Sequence, residues 1–214
     1  MKKLLLLLII AISFICCGAT KTYTKHVQQM IDASVTVHIQ LPSSWVEVGA
    51  GVVTLNKNDE PIILTARHMF DIFPEIPRRV CSMAEPSSCM LVDPSQAIMA
   101  GLNPGPQTDW WVHPYPIELD GIAPARPRYD LVPIGSEIWT VGVPNGRSGE
   151  VSRGIITNQS FGVYYVDART LPGSSGGGVF DKKGRLVGIV CGLSVVDGLG
   201  PVSDSSIIVQ VPYL

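Results

Sequence analysis

Apolar runs of strand length, rich in β-branched residues and cut by polar or glycine-bearing turns, dominate the chain from Ala33 to Val211. Residues 33–41 (Ala-Ser-Val-Thr-Val-His-Ile-Gln-Leu) alternate with the two-residue period of a half-buried strand. Residues 46–55 continue in the same way, and residues 61–65 read as a buried strand after the polar turn at 56–60. Strand character returns at 137–143, 154–158, 162–167, 177–180, 186–191 and 207–211. Asp181-Lys182-Lys183-Gly184 between two of these runs reads as a hairpin turn. Only residues 25–32 have helical patterning of useful length, with at most one further turn after His68. The fold class is therefore all-β, a sandwich or barrel built from many short strands. Pro114, Pro116, Pro124, Pro127 and Pro133 fall in a stretch with little periodicity, which predicts a connector between two halves.

With 46% hydrophobic and 16% charged residues, the 214-residue chain can bury one large core or two small ones packed together. A formal charge of −2, with no basic stripe, argues against nucleic acid as a partner. Residues 1–19 are set apart: Lys2 and Lys3, an unbroken apolar run over 4–15, then Cys16-Cys17-Gly18-Ala19. This is the pattern of an export signal. Cleavage after Ala19, lipidation at Cys16 or Cys17, and retention as an anchor all remain open, although the run is short against the ~20 residues that span a bilayer. Each places the rest of the chain, secreted or periplasmic, outside the cytoplasm and limits membrane contact to this segment. Cys81 and Cys89 enclose a short polar loop and are a candidate disulfide in such a compartment, the alternative being two free thiols. No second Cys or His pair stands at ligand spacing, so no metal is expected. Cys191, inside an apolar run, reads as a small buried hydrophobe.

Three segments carry chemistry. Residues 171–178 read Leu-Pro-Gly-Ser-Ser-Gly-Gly-Gly, in which the N–H groups of Gly173 and Ser175 can form an anion cradle around a serine. Gly176 and Gly177 would keep side chains clear of a substrate backbone. The run Ile62-Ile63-Leu64-Thr65-Ala66-Arg67-His68 is a strand that ends on a histidine, and Thr108-Asp109-Trp110-Trp111-Val112 puts an aspartate before a short aromatic strand. Taken singly, a glycine-rich run is a loop and a strand-end histidine is structural. Together they offer a nucleophile, a base and an orienting carboxylate.

In the order His, Asp, Ser these segments resemble the chymotrypsin-fold serine proteases. Asp167-Ala168-Arg169-Thr170-Leu171-Pro172-Gly173-Ser174-Ser175-Gly176-Gly177 is similar to the Asp-Ala-x-x-x-Pro-Gly-Asn-Ser-Gly-Gly signature of the HtrA-like branch, with Ser174 in place of Asn. Leu64-Thr65-Ala66-Arg67-His68 resembles that family's Leu-Thr-Ala-Ala-His, and Gly49-Ala50-Gly51-Val52-Val53 its preceding Gly-Ser-Gly-Val strand. Residues 135–146 and 186–190 are similar to the segment that opens the second barrel and to the strand after the nucleophile loop. The resemblance covers residues 33–211.

It implies two six-stranded antiparallel β-barrels with the active site between them, the first within 20–115 and the connector plus second barrel within 116–214. The implied triad is His68, Asp109 and Ser175, with Gly173 and Ser175 as the oxyanion hole. Thr170, Leu171, Val190, Cys191 and Gly192 would line the substrate groove. Asp130-Leu131-Val132 also looks like a family Asp strand, but it lies too close to Gly135, while Asp71 follows His68 too closely. Asp167 is expected to shape the pocket or a turn beside the nucleophile loop. Ser174, standing where trypsin-type enzymes have aspartate, argues against activation by a new N-terminus, and the residues after Ser175 leave no room for a PDZ domain. The function implied is a serine endopeptidase acting on proteins or peptides through an acyl-enzyme, without a cofactor. A silent protease-like binding or chaperone module and an esterase are the alternatives, and nothing in the chain sets an oligomeric state.

Overall fold

The computed structural model describes residues 23–71, 75–101, 106–116, 119–196 and 200–212, with side chains at 106 and 193–205 outside that account. The export segment expected over 1–19 lies outside the described residues.

Helix α1 (Lys25–Asp32) begins where Thr24, extended at φ −64° and ψ 153°, accepts the N–H of Val27 at its hydroxyl (3.4 Å). Val27, Met30 and Ile31 fall on one face, and Met30 and Ile31 are buried. Just before it, the Tyr23 hydroxyl donates to Gly149 O (3.0 Å). The arm is thus fastened to the second half of the molecule before the chain enters the first.

The first half contains β1 (Ser34–Leu41), β2 (Ser44–Leu55), β3 (Pro61–Thr65), the short helix α2 (His68–Asp71), β4 (Arg78–Ser82), β5 (Cys89–Val92), β6 (Met99–Ala100) and β7 (Trp111–Pro114). These strands form a curled seven-stranded sheet in the order β5-β4-β1-β2-β3-β7-β6, antiparallel at each junction. It differs in detail from the six-stranded barrel expected. The two-residue β6 adds an edge beside β7, and β5 and β6 do not pair, so the sheet stays open.

The second half is a closed six-stranded barrel, ordered β10-β13-β12-β11-β8-β9. Its strands are β8 (Glu137–Gly142), β9 (Glu150–Ser160), β10 (Val163–Val166), β11 (Gly178–Asp181), β12 (Leu186–Val196) and β13 (Gly200–Gln210). Among the described residues no helix is long and apolar enough to cross a membrane.

Two-residue periodicity explains how one strand serves two cores. In β2 and β3, Val53 and Ile63 point into the first half with Val35, Val37 and Val80. Their neighbours Val52, Ile62 and Leu64 point the other way, onto Val141, Phe180, Leu186, Ile189 and the α1 residues Met30 and Ile31. A third cluster, including Ile138, Ile156, Tyr164, Val179, Val190 and Ile208, fills the closed barrel. The middle cluster glues the halves together, each large aliphatic side chain contributing roughly 1.5–3 kcal/mol when buried. The proline-rich connector hands over between them within three residues. Ala125 N–H donates to Val53 O, and Leu186 N–H donates to Arg126 O while Arg128 N–H donates to Leu186 O.

Cys81 and Cys89 face each other across the β4–β5 ladder and are joined by a disulfide. Closing so short a loop stabilises the fold by roughly 2–3 kcal/mol through the unfolded chain.

Candidate active site

β3 ends at Thr65, and His68 follows as the first residue of α2, a single helical turn at the edge of the cleft. That turn is held from below by Arg78, a side chain in the core of the sheet (1% exposed). Its guanidinium donates to Met69 O (3.1 Å) and Phe70 O (3.3 Å). Nothing in the sequence singled out Arg78, and an arginine in a short polar run gives no hint that it is buried.

Asp109 stands two residues ahead of β7, the neighbour of β3, and reaches His68 from the side. Its Oδ1 accepts the His68 backbone N–H (2.9 Å) and its Oδ2 lies 2.6 Å from His68 Nδ1. Both carboxylate oxygens are therefore committed to one residue, which fixes the ring's position and leaves Nε2 as the outward nitrogen. The Cys191 thiol donates to the same Oδ2 (3.1 Å). Burial works against ionisation of Asp109, but the bonds from His68 and Cys191 outweigh it and hold its carboxyl below the ordinary value. Burial first, and then the neighbouring carboxylate, push the Cys191 thiol well up, so it stays protonated. Asp130 is elsewhere, exposed and paired with Arg128 (2.8 Å), and Asp71 pairs with Arg67 (2.9 Å).

Cys191 is thus a donor to Asp109 and not a wall of the groove alone. A protonated thiol is a weak nucleophile, so incubation with iodoacetamide at mildly alkaline pH is expected to leave activity intact long after a free thiol has been alkylated. Cys191→Ala is expected to lower kcat about tenfold by removing one donor to the carboxylate, with Cys191→Ser restoring most of it. Steady-state kinetics of the two variants check this.

Leu171, Pro172, Gly173 and Ser174 form a tight turn closed by Ser174 N–H to Leu171 O (2.9 Å). Proline second and glycine third, with Gly173 at φ +95°, identify it as type II. The N–H groups of Ser174, Gly176 and Gly177 are engaged by Leu171 O, Val190 O and Ser174 O. Those of Gly173 and Ser175 donate to nothing among the described residues. The turn is braced from behind: Asn145 N–H donates to Pro172 O (2.8 Å), and a Cβ on Gly173 would collide with Val143 O. The remaining space there is about 10 Å³, lined in part by Gly142, Pro144, Ser174 and Arg169.

Ser175 is locked onto the first half by its own carbonyl, which accepts Ala50 N–H (2.9 Å). Ala50 O in turn accepts the Thr65 hydroxyl (2.6 Å), three residues before His68. No hydrogen bond joins Ser175 Oγ to His68 Nε2 among the described residues. The glycines after the serine have a different purpose from the one expected. They do not clear space for substrate. Gly176 (φ +77°) is pressed against Ala50 O, Thr65 Oγ1 and Ala66 N, and Gly177 against Val141 O. Gly176→Ala puts a Cβ inside the radii of fixed backbone atoms at a left-handed φ, and is expected to destabilise the protein by about 3 kcal/mol or more. Thermal or denaturant unfolding measures it.

The expected groove residues divide. Thr170 is buried (4% exposed) with its hydroxyl 2.6 Å from Ser206 Oγ, and Val190 (2% exposed) packs into the closed barrel. Thr170 lies in the loop between β10 and β11, held by that hydroxyl contact, while Val190 in β12 also lines the small cavity beside Arg169 and Ser174. Leu171 and Gly192 are half-buried, and the space above Gly192 is open. Asp167 accepts the Ile155 N–H (2.6 Å), so it braces β9 beside the loop. Among the described residues no group of three or more His, Cys, Asp or Glu is arranged to hold a metal.

Residues 49–189, which run from β2 into β12 and include His68, Asp109 and the loop around Ser175, match the trypsin-like peptidase domain. The chain belongs to that family. Membership makes it a serine-type endopeptidase, acting on protein or peptide substrates. Solved structures share the fold at low identity. One is an inactive serine-to-alanine mutant of Rv3671c from M. tuberculosis H37Rv, at 15% identity and TM-score 0.60, covering 87% of this chain and 85% of that one. Another is the HtrA-type protease AlgW with a decapeptide, at 18% and 0.63, covering 89% and 64%. A third is the serine endoprotease from Yersinia pestis, at 20% and 0.65, covering 89% and 64%. This chain thus spans less than two thirds of the second and third of these chains. No curated protein sequence matches it.

Proposed function

We propose that this trypsin-like peptidase cleaves peptide bonds through an acyl-enzyme on Ser175, with His68 as base and Asp109 as its orienting carboxylate. The observation that carries the reading is Asp109, whose two oxygens hold the backbone N–H and the ring Nδ1 of His68. An imidazole anchored at Nδ1 presents Nε2 as the acceptor that a serine hydroxyl needs. His68 takes the Ser175 proton as Oγ attacks the carbonyl carbon, and returns it to the leaving amine. Water, deprotonated by the same ring, then releases the acyl group and regenerates the serine. The developing oxyanion is held by the N–H groups of Gly173 and Ser175, each such donor typically worth ~10²–10³ in rate. A hydrogen bond between nucleophile and base of this kind commonly tightens only in the complex with substrate.

A silent binding module is the less favoured reading. A misformed turn would not leave Gly173 and Ser175 with free N–H groups while engaging the three around them. The open face of β12 at Gly192 gives a substrate backbone somewhere to lie, beside Leu171. Export from the cytoplasm belongs to the same proposal and is supported by the Cys81–Cys89 disulfide. The test is hydrolysis of a fluorescently labelled unfolded protein by the purified chain, with fragments identified by mass. Ester cleavage without any peptide cleavage would sink the endopeptidase reading.

A further inference from the structure

The β11–β12 turn carries Lys182 and Lys183, both exposed and without a carboxylate partner among the described residues. A hollow lies on each side of it. One, of about 290 Å³, is lined by Arg128, Lys182, Lys183 and Arg185 together with Ser136 and Glu137. The other, of about 260 Å³, is lined by residues 123–126 and by Lys183, Gly184 and Arg185. Lys183 and Arg185 line both, so the two hollows are halves of one groove across the turn.

The carboxylates bordering this groove are already committed. Asp181, 5% exposed, accepts Arg185 (2.7 Å) and Arg128 (3.4 Å) as well as the N–H of Lys183 (2.8 Å). Asp130 holds Arg128 from the other side, Glu137 is taken by Arg153, and Asp59 sits 3.5 Å from Arg126. The two lysines are left as uncompensated charge beside the guanidinium groups of Arg128 and Arg185, which the buried Asp181 holds. Docking a ligand leaves those two guanidinium groups in place, while each lysine gives up rotamer freedom. The ligand must be anionic. Because the chain's net charge is −2, attraction to an anionic segment comes from this patch at short range and not from the molecule as a whole.

We infer that this groove docks an acidic segment of the protein substrate, apart from the cleft that cuts it. The inference rests on the endopeptidase reading for the identity of the partner. β11 starts three residues after Ser175, so at ~3.3 Å per extended residue the turn stands at most roughly 25 Å from the nucleophile. About seven extended residues of a substrate span that gap. Such docking lowers KM for substrates with an acidic stretch at that spacing and leaves the chemical step alone.

The experiment uses the full chain carrying Ser175→Ala, and a fluorescein-labelled oligo-glutamate peptide of about ten residues followed by anisotropy. Binding is expected at low salt, weakening strongly at ~300 mM salt. Adding Lys182→Glu and Lys183→Glu should weaken it at least ~10-fold, and Lys182→Gln with Lys183→Gln by less. In the Ser175 background, both lysine pairs should cleave a short neutral peptide as the unaltered chain does, which shows that they fold. Absence of binding, binding indifferent to the lysines, or displacement by inorganic phosphate as efficient as by unlabelled peptide would overturn the inference. Failure of the unaltered chain to cleave any peptide would instead remove the endopeptidase reading, since anisotropy needs no catalysis.

Discussion

Ser175→Ala is expected to lower turnover of a protein substrate by about 10⁶ while the melting temperature stays essentially unchanged. The size of the effect follows from what the hydroxyl does. Without Oγ no acyl-enzyme forms, and His68 and the two loop N–H groups can only assist water. The lack of structural effect follows from what the hydroxyl does not do. Ser175 is tied into the fold by its carbonyl on Ala50 N–H, and alanine keeps that bond. Its side chain enters no hydrogen bond among the described residues. Ser174 provides the control. It is 5% exposed, and its hydroxyl accepts Leu171 N–H (3.2 Å), so Ser174→Ala should loosen the turn and cost stability before it costs chemistry. Comparing kcat and unfolding for the two neighbours separates nucleophile from scaffold.

Asp109→Asn is the second large effect, a fall in kcat of about 10⁴ with KM little changed. Asparagine keeps the shape but can present only one oxygen to two donors. If that oxygen stays on the His68 backbone N–H, an amide nitrogen faces Nδ1 and forces the proton onto Nε2, the nitrogen that must accept from serine. If the amide flips, the backbone N–H of His68 meets an NH₂ group and the start of α2 shifts. Cys191 then points its S–H at the wrong partner in the first arrangement. Steady-state kinetics decide it: a loss of less than tenfold would mean that Asp109 only supports the helix. Protonation of the Asp109 carboxyl itself comes only well below neutrality, because it is held below its ordinary value.

The sequence patterns that proved legible are those where local chemistry and tertiary environment agree. β3 and α1 have the expected bounds, because Pro61 opens an apolar run that is buried, and Thr24 caps an amphipathic turn. β4, β5 and β6 were not foreseen. β4 starts with two arginines and β5 keeps an exposed Leu91, so neither shows clean alternation, and their register comes from pairing with β1 and from the disulfide. The pairing of His68 with Asp109, and not with Asp130, follows from β7 lying beside β3, which is a long-range fact. Cys191 read as an apolar filler, since sequence does not say that a strand bulge at Val190–Gly192 turns the thiol onto a carboxylate. Gly176 and Gly177 read as clearance for substrate because the first half's close approach, through Ala50 and Thr65, is invisible in one chain segment.

The central claim is that Ser175 is a nucleophile activated by His68 and not a loop residue. Intact-mass and peptide mapping after treatment with a fluorophosphonate tests it most directly, since the reagent reacts with an activated serine whatever the preferred substrate. One adduct on Ser175, absent in Ser175→Ala and nearly absent in His68→Ala, is the expected result. A folded chain that takes up no reagent, or takes it up equally well without His68, would contradict the account.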